Sequence, residues 1–348
     1  LINKEGIMRV LIVDFNHIAY NMSFGGARLS SVIDGETVDT SIPNGSLKNI
    51  MRWSDFGRNP VAICFDRACY PRKAFWKMTS KEEDIAKYKD NRDKMPNAMF
   101  KGIALTEELL RQAGISCFAM EGYEADDLIA SAIECAKIQY PGVPIDIVTG
   151  DSDLIPLVDD QVSVFLRSRK ATWAESKAIQ KNKYIQITPN NYSEVVKTLS
   201  SFKEYDIPYN TLLFLKITRG DESDNVPGLK KSFPPKKVKE ILARMYENNF
   251  TEIRYERGVV TAENKWGIPD TLNNLINFLR VNCGDLVGDV EIEHITRAYL
   301  GINLNQPYVD LVNKKWLRRS ISVKEIKMFS PNALVSAGRR IGINIPIG

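Results

Sequence analysis

Ile145-Asp146-Ile147-Val148-Thr149-Gly150-Asp151-Ser152-Asp153 is a short apolar run that ends in two carboxylates. The run reads as a buried strand. Its acids fall just past the strand end, where open α/β sheets place their sites. Upstream stands Glu124-Ala125-Asp126-Asp127. Leu128, Ile129 and Ile133 follow at helical spacing, so these three acids open a helix whose dipole favours negative charge there. Each cluster repels itself unless cations are near. Two solvated acidic caps are the bland alternative, which explains poorly an Asp-x-Asp directly after a buried strand.

Two other apolar runs end the same way. Residues 9–13 lead into Asp14 and residues 61–65 into Asp66. Alone, Asp14 reads as the N-cap of the helix after it. Three strands with an acid at the same end argue against coincidence. Residues 25–45 carry the turn signals Gly25-Gly26 and Asp34-Gly35 and read as a loop or hairpin, with a helix over 46–55. A helix over 100–112 ends at Gly114, and strands cover 115–118 and 161–166. This alternation predicts an α/β fold, a mostly parallel central sheet with helices on both faces. Residues 167–183 read as a hairpin or loop. Beyond Pro189 the pattern turns helical, over 208–218, 238–246, 272–282 and 292–300. The expected division is an α/β core over 8–188, a helical region over 189–306 and a basic tail region over 307–348.

The composition, 44% hydrophobic and 26% charged, is that of a globular protein. No apolar run reaches membrane-spanning length, and no signal-peptide pattern opens the chain, so a cytoplasmic protein is expected. Residues 1–7 precede Met8 and are set aside. The five cysteines form no C-x-x-C pair, which fits reduced thiols and no zinc site. Only two histidines exist, and His17 reads as structural. The net charge is +4, from 47 Lys+Arg against 43 Asp+Glu. Nine carboxylates gathered in one site leave the remaining surface strongly basic, which suits a polyanionic substrate held over metal ions.

Residues 67–99 are basic, aromatic and poor in aliphatic residues, and cannot build a core of their own. They read as a partly helical surface excursion whose Arg72, Lys73, Tyr88, Lys89 and Arg92 suit phosphates and bases. Further on, Asp221 and Asp224 share a face on a helical turn. A lysine-dense stretch follows, with Lys230, Lys231, Lys236 and Lys237.

Six motifs stand in order: Asp14; Phe65-Asp66; Tyr88-Lys89-Asp90-Asn91-Arg92; Glu124-Ala125-Asp126-Asp127; Thr149-Gly150-Asp151-Ser152-Asp153; and Gly220-Asp221-Glu222-Ser223-Asp224-Asn225-Val226-Pro227-Gly228. Over residues 9–246 the chain resembles the flap endonuclease family of 5′ nucleases. That family occurs in phages and in the 5′-nuclease domain of bacterial family A DNA polymerases. A stand-alone nuclease with these motifs is most similar to a phage protein, which would act in host cytoplasm. The resemblance implies a PIN-like core, a helical arch and a helix–three-turn–helix module for duplex DNA. It implies two divalent ions, normally Mg²⁺, with Mn²⁺ as a substitute. By that likeness Asp14, Asp66, Glu124 and Asp126 surround the first ion. Asp126, Asp151, Asp153 and Asp224 surround the second, with Asp127 and Asp221 as outer support. An oxygen-only ligand set agrees with these ions.

Lys89 and Arg92 are then expected to grip the scissile phosphate. Tyr88 reads equally as a base-stacking ring or as an anchor of the arch. The implied partners are DNA with 5′ flaps, 5′ overhangs or nicks, and RNA–DNA hybrids as an alternative substrate, cut by a monomer. One departure stands out. The family's glycine-rich hairpin, often beside a bound K⁺, is replaced here by Lys231 and Pro234. Proline offers no N–H, which argues against the K⁺ site and assigns duplex grip to lysine side chains. A non-catalytic DNA-binding protein is the rival of a different class, and the intact acid set argues against it. A haloacid-dehalogenase-type phosphatase needs Asp-x-Asp where Asp14 is followed by Phe15-Asn16.

Overall fold

The computed structural model describes residues 7–24, 28–67, 72, 75, 89, 95–167, 184–199, 204, 205, 207, 211–220, 228, 233–250, 253, 255, 269–303, 309–310, 315–316 and 325–347. β1 (Val10–Asp14) runs straight into α1 (Phe15–Phe24). A hairpin of β2 (Ser30–Ile33) and β3 (Glu36–Asp39) leads to α2 (Ser41–Trp53). Next come β4 (Val61–Cys64), α3 (Asn97–Gln112), β5 (Ser116–Phe118) and α4 (Ala125–Gln139). β6 (Ile145–Thr149) is followed by a 3-10 turn (Ser152–Leu157), β7 (Val162–Arg167) and β8 (Tyr184–Ile187). The helical part holds α5 (Tyr192–Thr198), α6 (Leu212–Arg219), α7 (Pro235–Glu247), α8 (Asp270–Asn282) and α9 (Asp289–Ile302). A short antiparallel pair, β9 (Val309–Asp310) with β10 (Lys315–Trp316), precedes α10 (Pro331–Arg340).

One six-stranded sheet has the order β5-β4-β1-β6-β7-β8. Every neighbouring pair is parallel except β7 with β8. Helices cover both faces, and this explains the unbroken apolar runs. Val10 and Ile12 point into one core while Leu11 and Val13 point into the other, so β1 has no polar side to show. Ala62 and Cys64 of β4 divide from Val61 and Ile63 in the same way. The chain goes from β1 outward to β4 and β5, then crosses to β6 on the other flank. Strand order therefore reverses beside β1, and the carboxyl ends of strands at such a point form a crevice. Asp14, Asp66 and Asp151 stand at or just past the ends of β1, β4 and β6.

Three expectations change. Helix α2 starts at Ser41 rather than at 46: the Asp39 carboxylate accepts the Ser41 N–H at 2.8 Å, and Pro43 is tolerated in the first turn, where its missing N–H costs nothing. The boundary at 188 is no break in packing, because Phe214, Ile241, Leu275 and Tyr299 share one core with Ile145 and Val164. Residues 307–348 are not simply a basic tail. From Glu325 the chain returns to the nuclease sheet: Lys327 bridges Val61 and donates its N–H to Ser116 Oγ at 3.0 Å, and the Tyr140 hydroxyl donates to the Ile326 carbonyl at 2.7 Å. Phe329, Leu334, Val335, Ile341, Ile343 and Ile345 are buried in the core of Leu11 and Val61. Arg339 and Arg340 are exposed on the outer side. Residues 168–183, expected as a hairpin or loop, lie outside the described residues, as does most of 67–99. No helix among the described residues is long and apolar enough to cross a membrane.

Candidate active site

Asp14 closes β1 and is only 7% exposed. The Thr149 hydroxyl donates to its Oδ2 at 2.8 Å, and the His17 N–H donates to its Oδ1 at 3.4 Å. Thr149 Oγ1 also accepts the Asp151 N–H at 2.9 Å, so one hydroxyl ties two acid-bearing strand ends together. Burial, then the charges of Asp66 and Asp151, push the Asp14 carboxyl up to about 7, against the Thr149 and His17 hydrogen bonds. Between these strands there is room for nothing larger than Gly150. A Cβ there would run into the His17 imidazole, and His17 packs as a structural residue, with Asn21 Nδ2 3.0 Å from its Nε2.

Asp66, just past β4, is exposed but held at both oxygens. The Ala125 N–H, at the start of α4, donates to Oδ1 at 2.7 Å, and Asn16 Nδ2 donates to Oδ2 at 2.8 Å. Asp126 lies in the first turn of α4. Burial raises its carboxyl well above the usual range; Asp151 adds to this, Lys89 opposes it, and Asp14 and Asp66 add again. The tertiary structure thus makes neighbours of Asp14, Asp66 and Asp151, from three strand ends, and Asp126, from a helix start.

The other described acids are drawn to cations. Asp127 is fully buried and meets the Arg72 guanidinium at 2.6 Å, while its Oδ2 accepts the Glu124 N–H at 3.3 Å. Glu124 meets Lys89 Nζ at 2.5 Å and Arg72 at 3.4 Å. Asp153 Oδ1 meets Lys216 Nζ, and the Asp153 N–H donates to Asp151 Oδ1 at 2.8 Å. Lys89 is a non-glycine residue at φ 58°, a strained conformation of the kind that clusters at functional sites.

Arg72 corrects the sequence reading. Expected to face a nucleic acid, it is 4% exposed and clasped by Asp127 and Glu124. A carboxylate buried behind the first turn of α4 requires a counter-charge, and Arg72 is that charge. Arg72→Met is expected to cost about 3 kcal/mol by leaving Asp127 uncompensated. A urea midpoint that does not fall, at unchanged slope, would show that the pair contributes nothing. Of the lysines assigned to duplex grip, Lys236 is exposed in the first turn of α7. Lys237 lies 4.6 Å over the Phe233 ring and 3.8 Å from Glu291. Lys73, Tyr88, Arg92, Asp221, Asp224, Lys230 and Lys231 lie outside the described residues. Gly228 packs directly on the Arg219 carbonyl and the Gly220 nitrogen, so the chain that leaves α6 comes back to the same point.

Sequence reasoning missed Thr149, Asn16, Lys216 and Tyr255, whose hydroxyl donates to the Asp153 carbonyl at 3.0 Å. Lys216 left a signal, as a charge inside the otherwise apolar run 212–218 of α6, where it is 6% exposed. Asn16 and Tyr255 left none.

Among the described residues no three carboxylates, imidazoles or thiols are grouped so as to hold one metal ion. The chemistry of the cluster nevertheless fits hard divalent cations. Its donors are carboxylate oxygens, and the Asp14 and Asp126 carboxyls are raised by burial and by like charges that a cation would offset.

The family model for the 5′-3′ exonuclease N-terminal, resolvase-like domain matches residues 9–185, just over half of the chain. A 5′-3′ exonuclease of Bacillus subtilis is 28% identical over 224 residues, 64% of this chain and 66% of the relative. A DNA polymerase I of Caldicellulosiruptor bescii is 28% identical over 228 residues, 64% of this chain but only 23% of the relative. The chain thus spans less than two thirds of either relative. Among solved structures, the bacteriophage T5 flap endonuclease in complex with DNA and metal ions is similar at a TM-score of 0.50 and 14% identity, over 96% of this chain and 93% of that one. That likeness concerns the fold; the match over 9–185, which spans β1 to the start of β8 and every described acid of the cluster, makes the chain a member of the 5′-3′ exonuclease family.

Proposed function

We propose that the protein is a divalent-metal-dependent 5′ nuclease that hydrolyses phosphodiesters near the 5′ end of DNA, as exonuclease and as flap endonuclease. The observation that carries this reading is the meeting of Asp14, Asp66, Asp126 and Asp151 at the carboxyl end of the sheet in a chain of this family. Mg²⁺ is the proposed ion, two per site, with Mn²⁺ as a substitute. Asp14, Asp66 and Asp126 would have to close up to hold one, and Asp126, Asp151 and Asp153 to hold the other, because the described residues alone group no three donors for a metal; Asp221 and Asp224 would help. Glu124 and Asp127, both engaged by Arg72, act from behind. When bound, such ions activate water and stabilise the leaving oxygen of a phosphodiester.

The chain's own residues do the rest. Thr149 orients Asp14, while Asn16 and the α4 N-terminus orient Asp66. Lys89 places its amine at the edge of the cluster, where a phosphate would compete with Glu124 for it. Arg92 and Lys73 are proposed to grip the same strand, Tyr88 to stack on a base or anchor the arch, and Lys230, Lys231, Lys236 and Lys237 to hold the duplex as the protein acts as a monomer.

A labelled 5′-flap duplex tests this. Products are sized with and without Mg²⁺, with 5′-overhang, nicked and RNA–DNA hybrid arms beside it. Metal-dependent release of short 5′ products is expected. Asp151→Asn is expected to lose about 1000-fold in rate, roughly 4 kcal/mol of barrier, with binding retained. Cleavage that persists in chelator, or in Asp151→Asn, would sink the reading.

A further inference from the structure

Asp153 is gripped through three separate atoms. Its N–H donates to Asp151 Oδ1 at 2.8 Å, its Oδ1 accepts from Lys216 Nζ, and its main-chain carbonyl accepts the Tyr255 phenol at 3.0 Å. The first grip is local. The other two reach back from the helical region, across sequence separations of 63 and 102 residues. The third differs in kind, because it acts on the backbone. The Asp153 carbonyl belongs to the Asp153–Leu154 peptide inside the 3-10 turn, so holding it fixes the backbone on the C-terminal side of Asp153, while the N–H on the other side holds Asp151.

Tyr255 packs partly buried against the core that also holds Ile253, so its ring is held while its hydroxyl reaches the Asp153 carbonyl. The bland alternative is a buried tyrosine that satisfies its hydroxyl on a convenient carbonyl. That alternative predicts a loss of stability and nothing at the acids.

Resting on the cation-site reading above, we infer that Tyr255 is a positioning residue that sets the Asp151-Ser152-Asp153 turn, and through it the affinity for the ion bound there. The helical region then does more than cover the sheet. It completes one end of the acid cluster from outside the segment that defines the family.

The test is Mn²⁺ binding to the DNA-free, chelator-stripped protein by isothermal titration calorimetry, for wild type, Tyr255→Phe and Tyr246→Phe. Hydrogen exchange over residues 149–157 is followed in parallel. Tyr246, exposed on α7, is the control. Tyr255→Phe keeps the ring and loses one hydrogen bond, so about three- to tenfold weaker Mn²⁺ binding is expected. The 149–157 amides are expected to exchange faster, and Tyr246→Phe to match wild type in both. A Tyr255→Phe protein with a lower Tm and unchanged Mn²⁺ affinity overturns the inference, because packing alone then accounts for the contact. If wild type binds no Mn²⁺, the cation-site reading fails by itself and the exchange rates decide: faster exchange upholds the positioning role, unchanged exchange overturns it.

Discussion

Asp14→Asn is expected to stabilise the metal-free protein at neutral pH while removing its cleavage. The Asp14 carboxyl is pushed from 3.8 to about 7, chiefly by burial and then by Asp66. Between those two values the folded protein keeps a proton that the unfolded chain has released. Stability therefore falls as pH rises through this window and levels off above it. For Asp14 taken alone the loss is at most about 4 kcal/mol, since each tenfold change in proton affinity is worth roughly 1.4 kcal/mol. Asparagine stays neutral, and its oxygen still accepts the Thr149 hydroxyl. Urea unfolding in chelator at about pH 4.5, inside that window near its lower end, and at about pH 7.5, just above it, checks this. The gap between variant and wild type is expected to open in favour of the variant at the higher pH. A gap that stays constant would mean that Asp14 titrates as an ordinary surface acid. Activity moves the other way, down by about 1000-fold, because the charge that is costly without a cation is the one that holds it.

Removing residues 325–348 is expected to abolish cooperative folding. The segment is rich in exposed arginine at its helix end, yet Phe329, Leu334, Val335, Ile341, Ile343 and Ile345 lie in the core beneath β1 and β4. Each buried side chain of this size contributes about 1.5–3 kcal/mol. Together they match or exceed the roughly 5–15 kcal/mol that separates folded from unfolded domains. Circular dichroism melting is expected to show no sharp transition in the truncated chain, together with dye binding to exposed apolar surface. Substituting the exposed Arg339 and Arg340 by alanine is expected to change stability by less than about 0.5 kcal/mol. A truncated protein that melts like the full chain would show that the returning segment is dispensable cover.

The helices and strands of the α/β part were legible because their signals are local. Leu128, Ile129 and Ile133 mark one buried helix face, and Val61 to Cys64 show no polar alternation. The C-terminal return was not legible, although Leu334, Val335 and Ala337 already sat at helical spacing. An apolar face on a short helix says that something must cover it without saying what. Arg72 was misread for a related reason: its neighbours in sequence are basic and aromatic, whereas its neighbours in space are Asp127 and Glu124.

The sequence by itself determined that three apolar strands deliver acids to one end of a parallel sheet, and that a fourth acid starts a helix beside them. Strand period, burial on both faces and helix polarity are properties of a few consecutive residues. Only the tertiary structure decided which acids neighbour one another and which are held by Arg72, Lys89 and Lys216, and that Thr149 and Tyr255 hold the strand end in place. Those choices depend on which side chains packing brings within hydrogen-bond reach, a distance that sequence separation does not measure.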